Sequence, residues 1–261
     1  MNLGIEGNVA LCTAASSGLG LASAEALARE GAHVSICGTT EQRLETAGER
    51  LKQAGDGDVL AVEADITDPD HVSAFVEQTV DRFGGLDHVI TSAGGVPSGP
   101  FTEMDDRDWY GAYDMLVMSV VWTCREVRPH LEDSDAGTIV AITSRTTQEV
   151  ADDLVLSNAV RRGVVGLIKT LSREFAPAVR ASTVLPGAHE TPRIEDLIEA
   201  AVERGDVADY DEGYADWADD VPLDRIGDPR ELGDVVAFLS SDRASYVNGA
   251  ALPVDGGSLR S

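Results

Sequence analysis

The sequence predicts an α/β fold in which a doubly wound, seven-stranded parallel sheet carries helices on both faces. Short apolar runs alternate with longer amphipathic segments from residue 9 to residue 254, and this pattern specifies right-handed crossovers between parallel strands. A tight turn of small residues joins the first apolar run to the first amphipathic segment. No repeat, linker or low-complexity tract interrupts the 261 residues, so we expect one domain over residues 1–261.

The first strand, the turn and the first helix predict an anion-binding site. The apolar run Val9–Cys12 enters the turn TAASSGLG, and an amphipathic helix follows and ends at Gly31. Free backbone N–H groups and the helix dipole both point at such a turn. Glycines at 18 and 20 lack a Cβ, so a pyrophosphate can approach the backbone, although the same pair also fits an ordinary strand-to-helix turn. The turn residues expected to contact a cofactor are Thr13, Ser16, Ser17, Gly18, Leu19 and Gly20.

The remaining strands and helices are predicted from the spacing of apolar residues along the chain. Short runs rich in Val, Ile and Ala predict strands over 33–38, 59–64, 88–91, 138–143, 181–185 and 251–254. Apolar residues spaced three or four apart predict helices over 41–54, 69–83, 105–131, 157–175 and 229–239. The polar, acidic segment 189–220 predicts one or two surface helices.

Composition narrows the classes of partner. The chain has 46 acidic and 20 basic residues and a net charge of −26, which argues against nucleic acid or anionic membrane as a partner. We interpret the acidic surface as an adaptation to high salt, as in proteins of halophiles, and expect the melting temperature to rise between dilute buffer and molar KCl. No apolar run reaches the ~18 to 20 residues of a membrane span, and no secretory signal is recognisable, so a cytoplasmic location is the default. Cys12, Cys37 and Cys124 lie in apolar runs without metal-ligand spacing, and we expect no metal.

Several motifs together resemble the short-chain dehydrogenase/reductase family over nearly the whole chain. They are the small-residue turn, Asp65-Ile66, Ser92-Ala93-Gly94, Ser144, Pro186-Gly187 with Thr191, and the run PLDRIGDPRELGDVVAFLSSDRASYVNGAALPVDGG. The resemblance implies a Rossmann fold with a nicotinamide dinucleotide across the carboxyl ends of the strands. It also implies a homotetramer or homodimer, a small-molecule substrate, and a substrate lid at about 189–221.

The resemblance assigns nucleotide contacts that are also chemically reasonable at their positions. Asp65, just past a strand, can accept from an adenine amino group, although a helix cap explains it as well. Gly187 and Thr191 suit a nicotinamide contact, or a turn and a cap. The second strand ends in Gly-Thr-Thr without a carboxylate, so Thr39 favours NADP(H) over NAD(H), with NAD still possible. The resemblance also places Ile66, Ala93, Gly94 and Pro186 against the nucleotide.

The chain departs from the family at the catalytic positions. Counted from Ser144, the family's tyrosine position falls on Ser157 and its lysine position on Arg161, while the helix asparagine falls on Leu116. A serine hydroxyl is a far weaker acid than a phenol, whereas an arginine can still bind ribose hydroxyls and stabilise an oxyanion. Ala14 replaces the first glycine of the turn, which is tolerable if its φ angle stays negative.

Two hypotheses remain open at this point. In the first, the protein is an NAD(P)(H)-dependent oxidoreductase for a carbonyl/alcohol pair, similar to 3-oxoacyl reductases or sugar dehydrogenases, with Ser144, Ser157 and Arg161 as its catalytic residues. His189 is then the best candidate for an unconventional proton donor, or else an exposed loop histidine, and Arg145 either binds a substrate carboxylate or is a solvated surface residue. In the second hypothesis, the fold binds a dinucleotide or a partner protein but no longer transfers hydride.

Overall fold

The computed structural model describes residues 2–260, and seven parallel strands form one sheet in the order β3-β2-β1-β4-β5-β6-β7. The predicted Rossmann fold is therefore confirmed. The strands are β1 (Val9–Cys12), β2 (His33–Gly38), β3 (Val59–Glu63), β4 (His88–Thr91), β5 (Thr138–Ile142), β6 (Arg180–Pro186) and β7 (Ala251–Val254). Four of the seven predicted strands match these bounds at both ends, β3 and β5 differ by one residue at one end, and β6 differs by one residue at each end.

Helices cover both faces of the sheet. They are α1 (Gly18–Arg29), α2 (Glu41–Ala54), α3 (Pro69–Phe83), α4 (Asp106–Tyr113), α5 (Ser119–Glu132), α6 (Val155–Glu174), α7 (Pro192–Arg204), α8 (Tyr210–Asp219) and α9 (Pro229–Ser240). The acidic segment forms two helices, α7 and α8. Within the described residues, no helix has both the length and the apolar character that crossing a membrane requires.

The helix predicted over 105–131 is interrupted, which corrects the sequence-based expectation. A π-helical turn, Asp114–Met118, separates α4 from α5. Just past this turn, the Ser119 hydroxyl donates to the Met115 carbonyl at 2.7 Å, so a side chain shares the backbone acceptors there. The apolar periodicity runs through the turn unchanged, and for this reason the sequence pattern gave no sign of it.

Two apolar cores lie on opposite faces of the sheet, one beneath α3, α5 and α6 and the other beneath α1, α2 and α9. The second core fixes α1. Helices α1 and α9 pack so closely at Gly233 that a Cβ there would lie 2.5 Å from the Ala22 carbonyl oxygen. This contact holds the N-terminus of α1 rigidly beside the sheet.

The strand order reverses between β1 and β4, and in open α/β sheets ligands bind in the crevice at such a point. A hydrogen-bonded link joins the two strand ends there. Thr13 Oγ1 donates to the Ser92 carbonyl at 2.8 Å and accepts from the Ser92 N–H at 3.0 Å. The turn after β1 and the loop after β4 are therefore fixed relative to each other.

Candidate active site

A cleft of about 340 Å³ opens at the carboxyl ends of the strands. Its walls come from the turn after β1, the loops after β4, β5 and β6, the start of α6, and the segment 191–217. Three arginines, Arg145, Arg161 and Arg193, line this cleft, and none of its lining residues among 2–260 is Asp or Glu. In a chain with a net charge of −26, the cleft is thus a locally basic site.

The turn after β1 has the backbone expected for binding an anion. Gly18 has a φ angle of +58°, and a Cβ on Gly20 would lie 3.0 Å from the Ala14 carbonyl oxygen and 3.1 Å from Ala15 Cα. Ala14 itself has a φ angle of +46°, so the condition under which alanine is readily tolerated there, a negative φ, is not met. Because an L-residue in the left-handed region crowds its own carbonyl, Ala14 is strained at a position that suits glycine.

Most of the residues predicted to contact a nucleotide do line this cleft. They are Ser17, Gly18, Leu19, Gly20, Ala93, Gly94, Pro186, Gly187 and Thr191. Thr13 instead is buried and holds the loop after β4, as described above. Asp65 and Ile66 do not line the cleft. Asp65 Oδ1 accepts from the Thr67 N–H at 2.9 Å and from the Thr67 hydroxyl at 2.7 Å, which closes a local turn. The helix cap that was the alternative role for Asp65 is Asp68 instead, and Ile66 is buried in the core.

A second pocket, of about 630 Å³, adjoins the outer side of the turn. It contains Ser16 and Arg43 together with Arg50, which is paired with Glu25 at 2.7 Å. Ser16 packs so closely on the last residue of β2 that a Cβ on Gly38 would lie 2.7 Å from Ser16 Oγ. Thr39 is exposed directly after that strand. The end of β2 therefore has hydroxyls and a guanidinium close by, which suits a phosphate.

The three predicted catalytic residues belong to one wall of the cleft. Ser144 lies two residues past the end of β5 and caps a short 3₁₀ turn, where its Oγ accepts from the Thr146 N–H at 3.2 Å. On the first turns of α6, Arg161 Nε donates to Ser157 Oγ at 3.0 Å, and Arg161 Nη1 donates to the Thr143 carbonyl at 3.3 Å. Burial and the nearby charge of Arg193 lower the pKa of Arg161 to about 10, so the guanidinium stays charged at neutral pH.

Leu116 is an apolar residue at the position where the resemblance places the family's helix asparagine. It lies in the π-helical turn, is 2 % exposed, and belongs to the core beneath α6. An isobutyl side chain neither donates nor accepts hydrogen bonds. A proton relay through this position, as the family's asparagine supports, is therefore absent at Leu116.

His189 is buried, which corrects the alternative of an exposed loop residue. It is 4 % exposed, and its Nδ1 lies 3.2 Å from the Gly187 carbonyl oxygen. Burial lowers the pKa of His189, so the ring is neutral at pH 7 and its single N–H is engaged by that carbonyl. His189 is thus poorly suited to donate a proton.

Arg193 was not found by the sequence analysis. It lies at the start of α7, and its Nη2 donates to the Val96 carbonyl at 3.3 Å on the opposite wall. Its position two residues after Thr191 was the only available signal. The residues of the expected lid that line the cleft are His189, Thr191, Pro192, Arg193, Ile194, Leu197 and Trp217. The carboxylates of the lid therefore do not line the cleft.

Fold and cleft together define a dinucleotide-binding oxidoreductase of the Rossmann type, and comparisons with known proteins identify the family. A family model described as enoyl-(acyl carrier protein) reductase matches residues 13–258. Glucose 1-dehydrogenase of Gluconobacter oxydans is 32% identical over 254 residues, which cover 96% of this chain and 91% of that protein. The chain belongs to the short-chain dehydrogenase/reductase family and is an oxidoreductase of that type.

Two solved structures are similar over nearly the whole chain. L-sorbose reductase from Gluconobacter frateurii, complexed with NADPH and L-sorbose, superimposes with a TM-score of 0.95 at 31% identity, covering 100% of both chains. A short-chain oxidoreductase from Pseudomonas aeruginosa, described as containing an atypical catalytic center, has a TM-score of 0.89 at 31% identity and covers 97% of this chain and 98% of its own.

Proposed function

We propose that the protein is an NADP(H)-dependent oxidoreductase that interconverts a carbonyl and an alcohol through an atypical Ser144, Ser157 and Arg161 site. The observation that carries this proposal is the hydrogen bond from Arg161 Nε to Ser157 Oγ at 3.0 Å, on the wall that also contains Ser144. Because Arg161 donates to this oxygen, the hydroxyl proton of Ser157 is free to point at a substrate. Both replacements thus stay polar and act as a pair.

The residues of the cleft fit a dinucleotide. A pyrophosphate needs the Cβ-free backbone at Gly18 and Gly20 and a site free of carboxylates, and both are present. Gly187 and Thr191 also line the cleft, and Thr191 Cγ2 would lie 3.9 Å from a Cβ on Gly18; the nicotinamide carboxamide is expected beside them. The bound nicotinamide supplies the hydride.

The protein residues then handle the substrate oxygen. Ser144 and Ser157 donate hydrogen bonds to this oxygen, and the charge of Arg161 stabilises the alkoxide that develops during reduction. Ser157 passes its proton to the alkoxide as it takes one from water, since neither a serine nor a charged arginine loses a net proton near neutral pH. The alcohol leaves neutral, and the reverse steps run in oxidation.

Three observations support NADP(H) over NAD(H). No carboxylate follows β2 at Thr39 and Thr40, and Arg43 lines the adjoining pocket with Ser16. The sorbose reductase and a polyketide ketoreductase of the same fold were solved with NADPH. A 2′-phosphate would pair with Arg43, so Arg43→Ala should weaken NADPH binding about tenfold and leave NADH binding unchanged.

The test begins with titrations of the protein in molar KCl with NADPH and with NADH, followed by turnover against a panel of ketones and alcohols. We expect NADPH to bind more tightly and at least one carbonyl compound to be reduced. Ser157→Ala should then lower kcat with little change in NADPH affinity. Nucleotide binding without turnover of any compound would favour the second hypothesis, a binding or partner role without hydride transfer.

Other expectations stay predictions at this stage. We propose a single domain with 189–221 as the lid, a homotetramer or homodimer, a cytoplasmic location, and a surface adapted to high salt. Light scattering behind a sizing column tests the oligomeric state. Melting temperatures in dilute buffer and in molar KCl test the salt adaptation, and a melting temperature that does not rise with KCl argues against it.

A further inference from the structure

The three arginines of the cleft differ in their hydrogen-bond partners, and one of them is available to bind a ligand other than the nucleotide. Among the cleft residues, Arg161 is held by Ser157 and the Thr143 carbonyl, and Arg193 donates to the Val96 carbonyl. Arg145 is different. Within residues 2–260 its guanidinium has no hydrogen-bond or ion-pair partner, although the residue is half-buried.

A second polar group beside Arg145 is also unused. Thr146 lines the cleft and is 4 % exposed, and its Oγ1 has no hydrogen-bond partner among the described residues. Buried hydroxyls are normally paired, because leaving them unpaired costs free energy. The Arg145 guanidinium is only partly buried and is open to a ligand in the cleft. Two adjacent unpaired donors on one turn therefore favour an anionic ligand.

The nucleotide phosphates do not account for this site. The pyrophosphate belongs at the turn after β1, whereas Arg145 and Thr146 follow β5, two strands further along the sheet. Neighbouring strands lie ~4.8 Å apart, so the two sites are separated by roughly 10 Å. Arg145 instead follows Ser144 directly, at the end of the cleft where the substrate oxygen is expected.

We propose that the substrate of this enzyme carries a carboxylate, which Arg145 binds through its guanidinium beside the unpaired Thr146 hydroxyl. This inference rests on the proposed oxidoreductase function. A guanidinium matches a carboxylate in a bidentate geometry, and the single free guanidinium balances its single charge. Ser144 and Arg145 are consecutive, with Cα atoms ~3.8 Å apart, and both line the cleft, so a small substrate can contact both side chains. The substrate class is a short oxo acid or the corresponding hydroxy acid.

The experiment compares 2-oxobutyrate, 3-oxobutyrate and 4-oxopentanoate with their methyl esters, at saturating NADPH in molar KCl. The expected result is a higher kcat/KM for at least one acid than for its ester. Arg145→Met should lower kcat/KM for that acid about 10- to 100-fold and leave the ester and the NADPH affinity unchanged. Arg145→Lys should restore part of the loss, because it keeps the charge but not the planar fork. The control is Arg162→Met, an exposed position on α6.

Equal kcat/KM for acids and esters in the wild-type protein, together with turnover of neutral ketones, would overturn the carboxylate inference and leave the proposed function intact. If nothing is turned over, binding decides: oxamate should raise the melting temperature of the NADP⁺-loaded wild-type protein but not that of Arg145→Met. Binding of this kind without turnover would retain the carboxylate site and reject hydride transfer. No oxamate effect on the wild-type protein would overturn the site itself.

Discussion

The two ends of the parallel sheet treat their polar side chains differently. At the amino end, His88 Nδ1 lies 2.8 Å from Thr138 Oγ1 and His88 Nε2 lies 2.9 Å from Asn8 Nδ2, so one buried ring links three neighbouring segments. At the carboxyl end, Thr91 Oγ1 and Thr146 Oγ1 are the two buried side-chain polar atoms within residues 2–260 that have no partner. At the amino end this buried ring is fully paired, whereas the carboxyl end combines polar links such as Thr13 to Ser92 with two unpaired hydroxyls, of which Thr146 lines the cleft.

The same contrast explains where the chain departs from its family. Ser157, Arg161, Leu116 and the strained Ala14 all lie near the carboxyl end. Changes there alter chemistry at a modest cost in stability, because the sheet is held by its core and its amino end. Variants of buried polar residues at the amino end should therefore change stability and leave binding intact, and variants of the cleft side chains at the carboxyl end should change binding much more than stability.

The largest expected effect concerns His88 and acid. Burial lowers the pKa of His88 to about 4, whereas an unfolded histidine titrates near 6.5. The unfolded chain therefore takes up a proton between these values that the folded protein does not, and the free energy of unfolding should fall by about 3 kcal/mol as the pH drops from 6.5 to 4. Above pH 6.5 and below pH 4 this residue adds no further slope.

Urea unfolding at several pH values in molar KCl measures this slope. His88→Gln should be destabilised at pH 7 but should lose part of the acid-dependent decrease, while NADPH affinity per folded molecule stays unchanged. His33→Gln, which leaves His88 in place, is the control and should keep the wild-type slope. If the free energy of unfolding falls equally between pH 6.5 and 4 in the His88→Gln and wild-type proteins, the buried His88 ring is not the source of the acid-dependent decrease.

The second prediction concerns the carboxyl end. Arg161→Ala removes a charge-assisted donor from the expected nicotinamide ribose, so NADPH affinity should fall by one or two orders of magnitude, or ~1.5 to 3 kcal/mol. The free energy of unfolding without nucleotide should change much less. Calorimetric titration and urea unfolding measure the two quantities. Arg162→Ala, at the neighbouring exposed position, should leave both unchanged, and an unaltered affinity in Arg161→Ala would remove Arg161 from the site.

The sequence was a good guide to elements with their own local pattern. The periodicities predicted every strand to within a residue at each end and identified the turn before α1, because strand and helix periods depend on neighbouring residues. It missed features that depend on distant contacts. Arg193 reaches a carbonyl 97 residues away, and His189 is buried against Gly227 by the pairing of their segments. The sign of the φ angle at Ala14 stayed open in the sequence, because alanine adopts negative φ in most contexts and the turn that forces +46° depends on contacts with other segments.

The smallest effect should come from Ala14→Gly. At a φ angle of +46°, alanine carries a strain of roughly 1 to 2 kcal/mol, which glycine avoids. Glycine also makes the unfolded chain more flexible, at a cost of about 0.4 to 1 kcal/mol, so a net stabilisation of about 0.5 to 1 kcal/mol is expected. Ala15→Gly is the matched control: Ala15 is fully buried with an ordinary φ angle, so this change should destabilise by removing a packed methyl. Urea unfolding of both variants measures the opposite signs, and destabilisation in both would mean that the turn has relaxed around Ala14.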